Sequence, residues 1–163
     1  MQNFIELIIK KIHWLVLLLI PMLIIACGVP NLEWELTISG DVSNPVTFTF
    51  EELANMDLVD LNDVLMEKSR GEDEVRSFSG VSLDSLFEIA GAPDDFSTIT
   101  IKAADGYAIE ISKNEMANGI VALKQSNKWI VDVEPDAGPI RLVFPSTPAD
   151  HWVFQVIEII VNP

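Results

Sequence analysis

The chain has 163 residues with 25 acidic and 10 basic side chains, a formal charge of −15. Such a surface repels nucleic-acid phosphates and anionic lipid headgroups, which excludes DNA, RNA and polybasic membrane contacts. The length suits one domain with a substantial core, and the lone cysteine, Cys27, excludes a disulfide-stapled scaffold.

The chain begins with a basic pair, Lys10 and Lys11, followed by an apolar run from Trp14 to Ala26 broken only by Pro21. The run is shorter than the about 20 apolar residues of a comfortable membrane span. Its layout is that of a secretory signal. Leu23-Ile24-Ile25-Ala26-Cys27 resembles the lipobox of bacterial lipoprotein signal peptides. By that resemblance residues 1–26 form the signal peptide, Cys27 is the lipidated first residue of the mature chain, 27–31 is a tether and 32–163 is the domain. In the alternative reading the segment is an uncleaved anchor and Cys27 a small apolar residue. Either reading places the body outside the cytoplasm at the cell membrane, held there through its N-terminus. The signal holds Glu6, Lys10 and Lys11, so the remainder carries 24 acids and eight bases, a formal charge of −16.

Along the body, Leu32, Trp34, Leu36 and Ile38 alternate with polar residues, as in a half-buried strand. Gly40-Asp41 and Asn44-Pro45 are turn signals. Val46 to Phe50 predicts a second strand, and Thr49 with Glu52 has the spacing of a capping box at the start of a short helix. Leu58 to Met66 predicts a third strand. The charged run from Glu67 to Ser77 reads as a solvated hairpin tip. Ser82 predicts a helix cap over Leu83, Leu86, Phe87 and Ile89, with Gly91 as C-cap and Pro93 barring continuation. Ser97 to Lys102 and Tyr107 to Ile111 predict a hairpin through Ala103-Ala104-Asp105-Gly106. Ser112 and Glu115 form a second capping box. Gly119 to Leu123, Ile140 to Phe144 and Val153 to Val161 predict further strands, with a turn at Asn127-Lys128. The result is a mainly β domain of the α+β class with a few short helices.

Four pieces then fall in a specific order: Phe78-Ser79-Gly80-Val81-Ser82-Leu83, Asp105-Gly106-Tyr107, Gly138-Pro139-Ile140-Arg141-Leu142-Val143-Phe144-Pro145, and Trp152-Val153 leading to Val156 and Ile159. Together they resemble the oxidoreductase molybdopterin-binding domain, the catalytic domain of the sulfite oxidase family, in a short form spanning Leu32 to Val161. The resemblance implies a sulfite oxidase-type fold around a pterin cleft. It implies cofactor-binding roles for Arg141, Asp105 and Tyr107, although the last two also suit an ordinary hairpin. It also implies a molybdenum-ligating cysteine in the stretch Val64–Arg70, where this chain has none. The family histidine five residues before the arginine is Asp136 here, and a family lysine is Phe154. Molybdenum shared with a pterin dithiolene needs a soft sulfur donor, and the carboxylate of Glu67 or the ammonium of Lys68 is a poor substitute.

The other candidates are weak. His151, with Asp150 before it and Ser146 and Thr147 nearby, reads as a turn histidine rather than a base. No residues fit a catalytic centre or a metal site, and Trp34, Trp129 and Trp152 read as packing. Two functions follow: a lipid-tethered, non-catalytic binding or assembly module, or a molybdopterin-dependent oxidoreductase, or a subunit of one, with a non-cysteine metal ligand. By the first, no molybdopterin is bound, and the partner is a protein or a small organic ligand in a vestigial cleft near Arg141 and Tyr107.

Overall fold

A computed structural model describes residues 28–163; Cys27 and the apolar run before it lie outside the described residues. Two sheets carry the fold. The first has the order β2-β1-β10-β5-β6, formed by β1 (Glu35–Gly40), β2 (Val46–Thr49), β5 (Thr98–Ala103), β6 (Ala108–Ser112) and β10 (Val156–Asn162). The second has the order β3-β4-β7-β8, with β9 also paired to β7. Its strands are β3 (Val59–Met66), β4 (Glu74–Ser82), β7 (Ile120–Gln125), β8 (Lys128–Trp129) and β9 (Arg141–Val143). Only β1 and β10 pair in parallel, joining the two ends of the domain.

Among the described residues, three short α-helices punctuate the sheets: α1 (Phe50–Ala54), α2 (Leu83–Ala90) and α3 (Ile130–Val133). The capping box of α1 forms as expected, with Thr49 and Glu52 satisfying each other's backbone donors. In α2, Ser82 caps the N-terminus and Gly91 closes the C-terminus in the left-handed conformation that glycine tolerates. Leu83, Leu86, Phe87 and Ala90 bury one face of this helix. The apolar side chains make one cluster across both sheets, including Leu36, Ile38, Ile99, Ile101 and Ile159 from the first and Phe78, Val81, Val121, Leu123 and Leu142 from the second.

Several expectations are corrected. The charged run is not merely a solvated tip, because β4 begins within it at Glu74 and Lys68, Glu74 and Arg76 are ion-paired. The Glu115 carboxylate accepts from the Ser112 N–H and hydroxyl, one half of a capping box, but the Glu115 N–H donates to the Ser112 backbone carbonyl and the chain there runs through successive turns, not a helix. The hairpin turn falls on Ser126 and Asn127, both at positive φ, leaving Lys128 in β8. The last strand starts at Val156 rather than Val153. At the start of the described chain the Gly28 carbonyl accepts a hydrogen bond from Trp129 Nε1 at 3.2 Å. Among the described residues no helix is long and apolar enough to cross a membrane.

Candidate functional site

Arg141 opens β9 and is 2% exposed, the one fully buried cation among the described residues. Its guanidinium carbon lies 4.2 Å from the Phe154 ring centroid, 5.2 Å from Trp152 and 5.4 Å from Phe78. Each aromatic face offers a cation favourable electrostatics. Nη2 reaches the Met66 sulfur at 3.4 Å. Nη1 stands 3.8 Å from a Glu134 oxygen, close enough for charge pairing but too far for a hydrogen bond. Nε has no partner.

The strands explain this convergence. Alternation along β3 turns Val64 and Met66 inward while Leu65 and Glu67 face out. Phe78 comes from β4, and Trp152 is fixed by donating Nε1–H to the Phe144 carbonyl at 3.0 Å. Phe154 forms an isolated bridge with Arg141 and keeps 43% of its surface exposed, so its ring covers the guanidinium from the solvent side. The next residue, Gln155, has φ of 49°, a left-handed conformation that costs a non-glycine residue about 1 kcal/mol or more. Gln155 ties three segments together: its N–H donates to Ile140, its amide to the Asp136 carbonyl at 3.1 Å, and its own carbonyl accepts from Ala104.

Electrostatically, Arg141 ends a chain of alternating charges. Glu134 pairs with Arg76, Arg76 with Glu74, and Glu74 with Lys68. Burial pushes the Arg141 pKa down to about 10, with the Arg76 charge adding to that and Glu134 opposing it. Burial alone would raise the Glu134 pKa. Arg76, Gln125 and Arg141 outweigh it and hold that carboxyl below the usual range. A carboxyl depressed on folding stabilises the fold above its unfolded pKa of about 4.3 and loses that contribution as pH falls through the lowered folded value. Urea midpoints should therefore fall from about pH 5 downward, and Glu134→Gln should flatten that decline. An equally steep decline in the variant would remove Glu134 from the account.

The other sequence candidates are dispersed. Asp105 Oδ1 accepts the Tyr107 N–H at 2.8 Å, an Asx turn that closes the β5–β6 hairpin. Tyr107 is 47% exposed. This turn is linked to the Arg141 region by backbone, through Ala104 and Gln155. Asp136 is exposed. His151 lies in a short 3₁₀ turn with Nδ1 3.2 Å from Glu115, while Thr147 donates to the Phe144 carbonyl, so no nucleophile–base pair forms there. Among the described residues no group of His, Cys, Asp and Glu is placed to hold a metal ion. Sequence reasoning missed Met66, Phe78 and Glu134. For Met66 the inward phase of the third strand was the available signal.

A family model for the oxidoreductase molybdopterin binding domain matches residues 26–162. The chain belongs to that family. The mixed α+β fold is shown independently by similarity to a crystal structure of the sulfane dehydrogenase SoxCD from Paracoccus pantotrophus, with a TM-score of 0.71 at 20% identity. The match covers 83% of this chain and 40% of that one. No curated protein matches the chain in sequence.

The residues present do not fit the family's anionic pterin cofactor. The one arginine suited to its phosphate is walled in by three aromatic rings and faces Glu134, a carboxylate that an incoming phosphate would meet. Among the described residues, four cavities of about 1060, 520, 600 and 390 Å³ are lined by residues other than Arg141, Met66 and Phe154. The sulfur beside Arg141 is a neutral thioether, a weaker metal donor than a thiolate.

Proposed function

We propose that this chain is an extracytoplasmic, lipid-anchored protein whose molybdopterin-binding-type domain is non-catalytic and serves as a binding or assembly module. The observation that carries the reading is the enclosure of Arg141 by Phe78, Trp152 and Phe154 with Glu134 as its counter-charge. An arginine neutralised from within is a structural cation, and the stretch Val64–Arg70 has no thiolate to complete a metal site. Lipidation at Cys27 supplies the membrane attachment, and a protein or a small organic molecule is the partner.

A second reading, a molybdopterin-dependent oxidoreductase or a subunit of one, has one specific observation in its favour. Nε of Arg141 is a buried donor without a partner, and the Met66 sulfur lies beside the same guanidinium. The two are separated by metal and pterin content of the full-length protein, matured in a host that makes the cofactor and purified without chelators. The non-catalytic module retains neither. Near-stoichiometric molybdenum with pterin fluorescence overturns it in favour of the oxidoreductase.

A further inference from the structure

The β7–β8 hairpin differs from the rest of this acidic surface. It carries Lys124, Lys128 and Trp129 together, with Trp129 directly across the ladder from Lys124. The Lys124 ammonium sits 4.3 Å from the Trp129 ring centroid. Lys68, Arg76, Lys102 and Arg141 pair with carboxylates, whereas Lys124 and Lys128, like Arg70 and Lys113 elsewhere, have no salt bridge among the described residues; the hairpin is the place where two such lysines stand on one short β-ribbon. This edge also holds the start of the described chain, through the hydrogen bond from Trp129 Nε1 to the Gly28 carbonyl at 3.2 Å.

We infer that the β7–β8 hairpin is the face the domain turns toward the lipid bilayer. This rests on the proposed lipid anchor at Cys27. Residue 27 immediately precedes Gly28, and one residue spans about 3.8 Å between α-carbons, so no slack separates an acylated Cys27 from the indole of Trp129. Gly28 and Val29 are exposed there, leaving the route to the anchor open. The Trp129 N–H is taken by the Gly28 carbonyl and its half-buried ring packs edge-on to Phe50 at 5.7 Å, so the indole fixes the start of the chain beside the hairpin rather than inserting into the headgroup layer itself. Lysines on flexible stems reach lipid phosphates from that edge. Two lysines are too few to hold so acidic a domain on a membrane unaided. With the anchor attached, affinity is already supplied, and the pair only has to bias the angle. The acidic residues oppose a broader contact: Glu33, Glu35, Glu51 and Glu158 line the cavity of about 1060 Å³ beside residues 29–34. Repulsion from anionic headgroups there confines the contact to the hairpin edge.

The test uses the full chain, matured in a bacterium and reconstituted in vesicles of phosphatidylethanolamine and phosphatidylglycerol. Acylation at Cys27 is established first by mass spectrometry of the N-terminal peptide. An acylated Cys27 has no free thiol, so an introduced cysteine takes a nitroxide label alone. Ser126→Cys, a near-isosteric change at the hairpin tip, is compared with Glu110→Cys on β6, an edge strand of the other sheet. The expected result is a label at 126 at headgroup depth, several-fold less accessible to an aqueous nickel chelate than the label at 110. Equal aqueous accessibility at both positions with an acylated Cys27, or a deeper label at 110, overturns the orientation and leaves the anchor standing. An unmodified Cys27 overturns the anchor reading and this inference with it.

Discussion

Replacing Glu134 with alanine should lower unfolding free energy by about 2–3 kcal/mol, whereas Arg141→Met should change it by less than about 1 kcal/mol. The asymmetry follows from which charge is left behind. Without Glu134, Arg141 remains a buried cation with no carboxylate, and Arg76 loses one of its two carboxylate partners. Stranding a fully buried charge costs about 3–5 kcal/mol; Glu134 retains 30% side-chain exposure, and the water reaching it reduces the loss. Arg141→Met removes the charge whose burial is unfavourable and leaves an apolar chain among Phe78, Trp152, Phe154 and Met66. That loses cation–π attraction of about 0.5–2 kcal/mol, offset by the desolvation no longer required. Glu134 meanwhile keeps Arg76 and Gln125. Urea denaturation of both variants and the double variant measures this. In the Arg141→Met background, the loss of Glu134 should fall to about 1 kcal/mol, the difference being the coupling between the two sites. Equal destabilisation by the two single changes would mean that Arg141 acts by packing, and the neutralised-cation account would fail.

The same ion-pair chain explains where the sequence was hard to read. Strands with ordinary patterning were legible: Leu36 and Ile38 alternate inward as written, and Ser82 and Gly91 mark both ends of α2 because their local chemistry suffices. The first turns of β4 invert the rule. Val75 is 60% exposed while Glu74 and Arg76 are part-buried in charge pairs, so the hydrophobic phase that signals a strand is reversed. Ser112 and Glu115 have the local signature of a helix start, yet Asn118 at φ 58° and Gly119 soon divert the chain into β7. The family-like fragments were readable as a fold because they are contiguous. The surroundings of Arg141 were not, since Met66, Phe78, Glu134 and Trp152 arrive from separate segments and no local spacing encodes their meeting. Arg141 was legible as a residue type, and its enclosure only as a structure.

Gly80→Ala should be strongly damaging, lowering stability by about 3 kcal/mol or more. Gly80 lies in β4 beside a register shift against β7. A β-carbon there would stand 2.1 Å from the Val121 carbonyl oxygen and 2.6 Å from the Ala122 α-carbon. Both obstacles are backbone atoms of the central strand β7 at its buried residues Val121 and Ala122, so no side-chain rotation relieves the clash. Relief requires β4 and β7 to separate, which breaks ladder hydrogen bonds and opens the packing of Phe78 and Val81 beneath them. The glycine of the Phe78-Ser79-Gly80-Val81 fragment is thus required by close strand approach, independently of any ligand. In a chain of this size a loss of 3 kcal/mol lowers the melting temperature by roughly 6–12 °C, measurable by circular dichroism. Gly106→Ala is the comparison. That glycine has no atom near its missing β-carbon, and its φ of 89° alone exacts a penalty of about 1 kcal/mol or more. If Gly80→Ala melts no lower than Gly106→Ala, the β4–β7 contact is looser than its geometry implies, and the fragment's glycine needs another explanation.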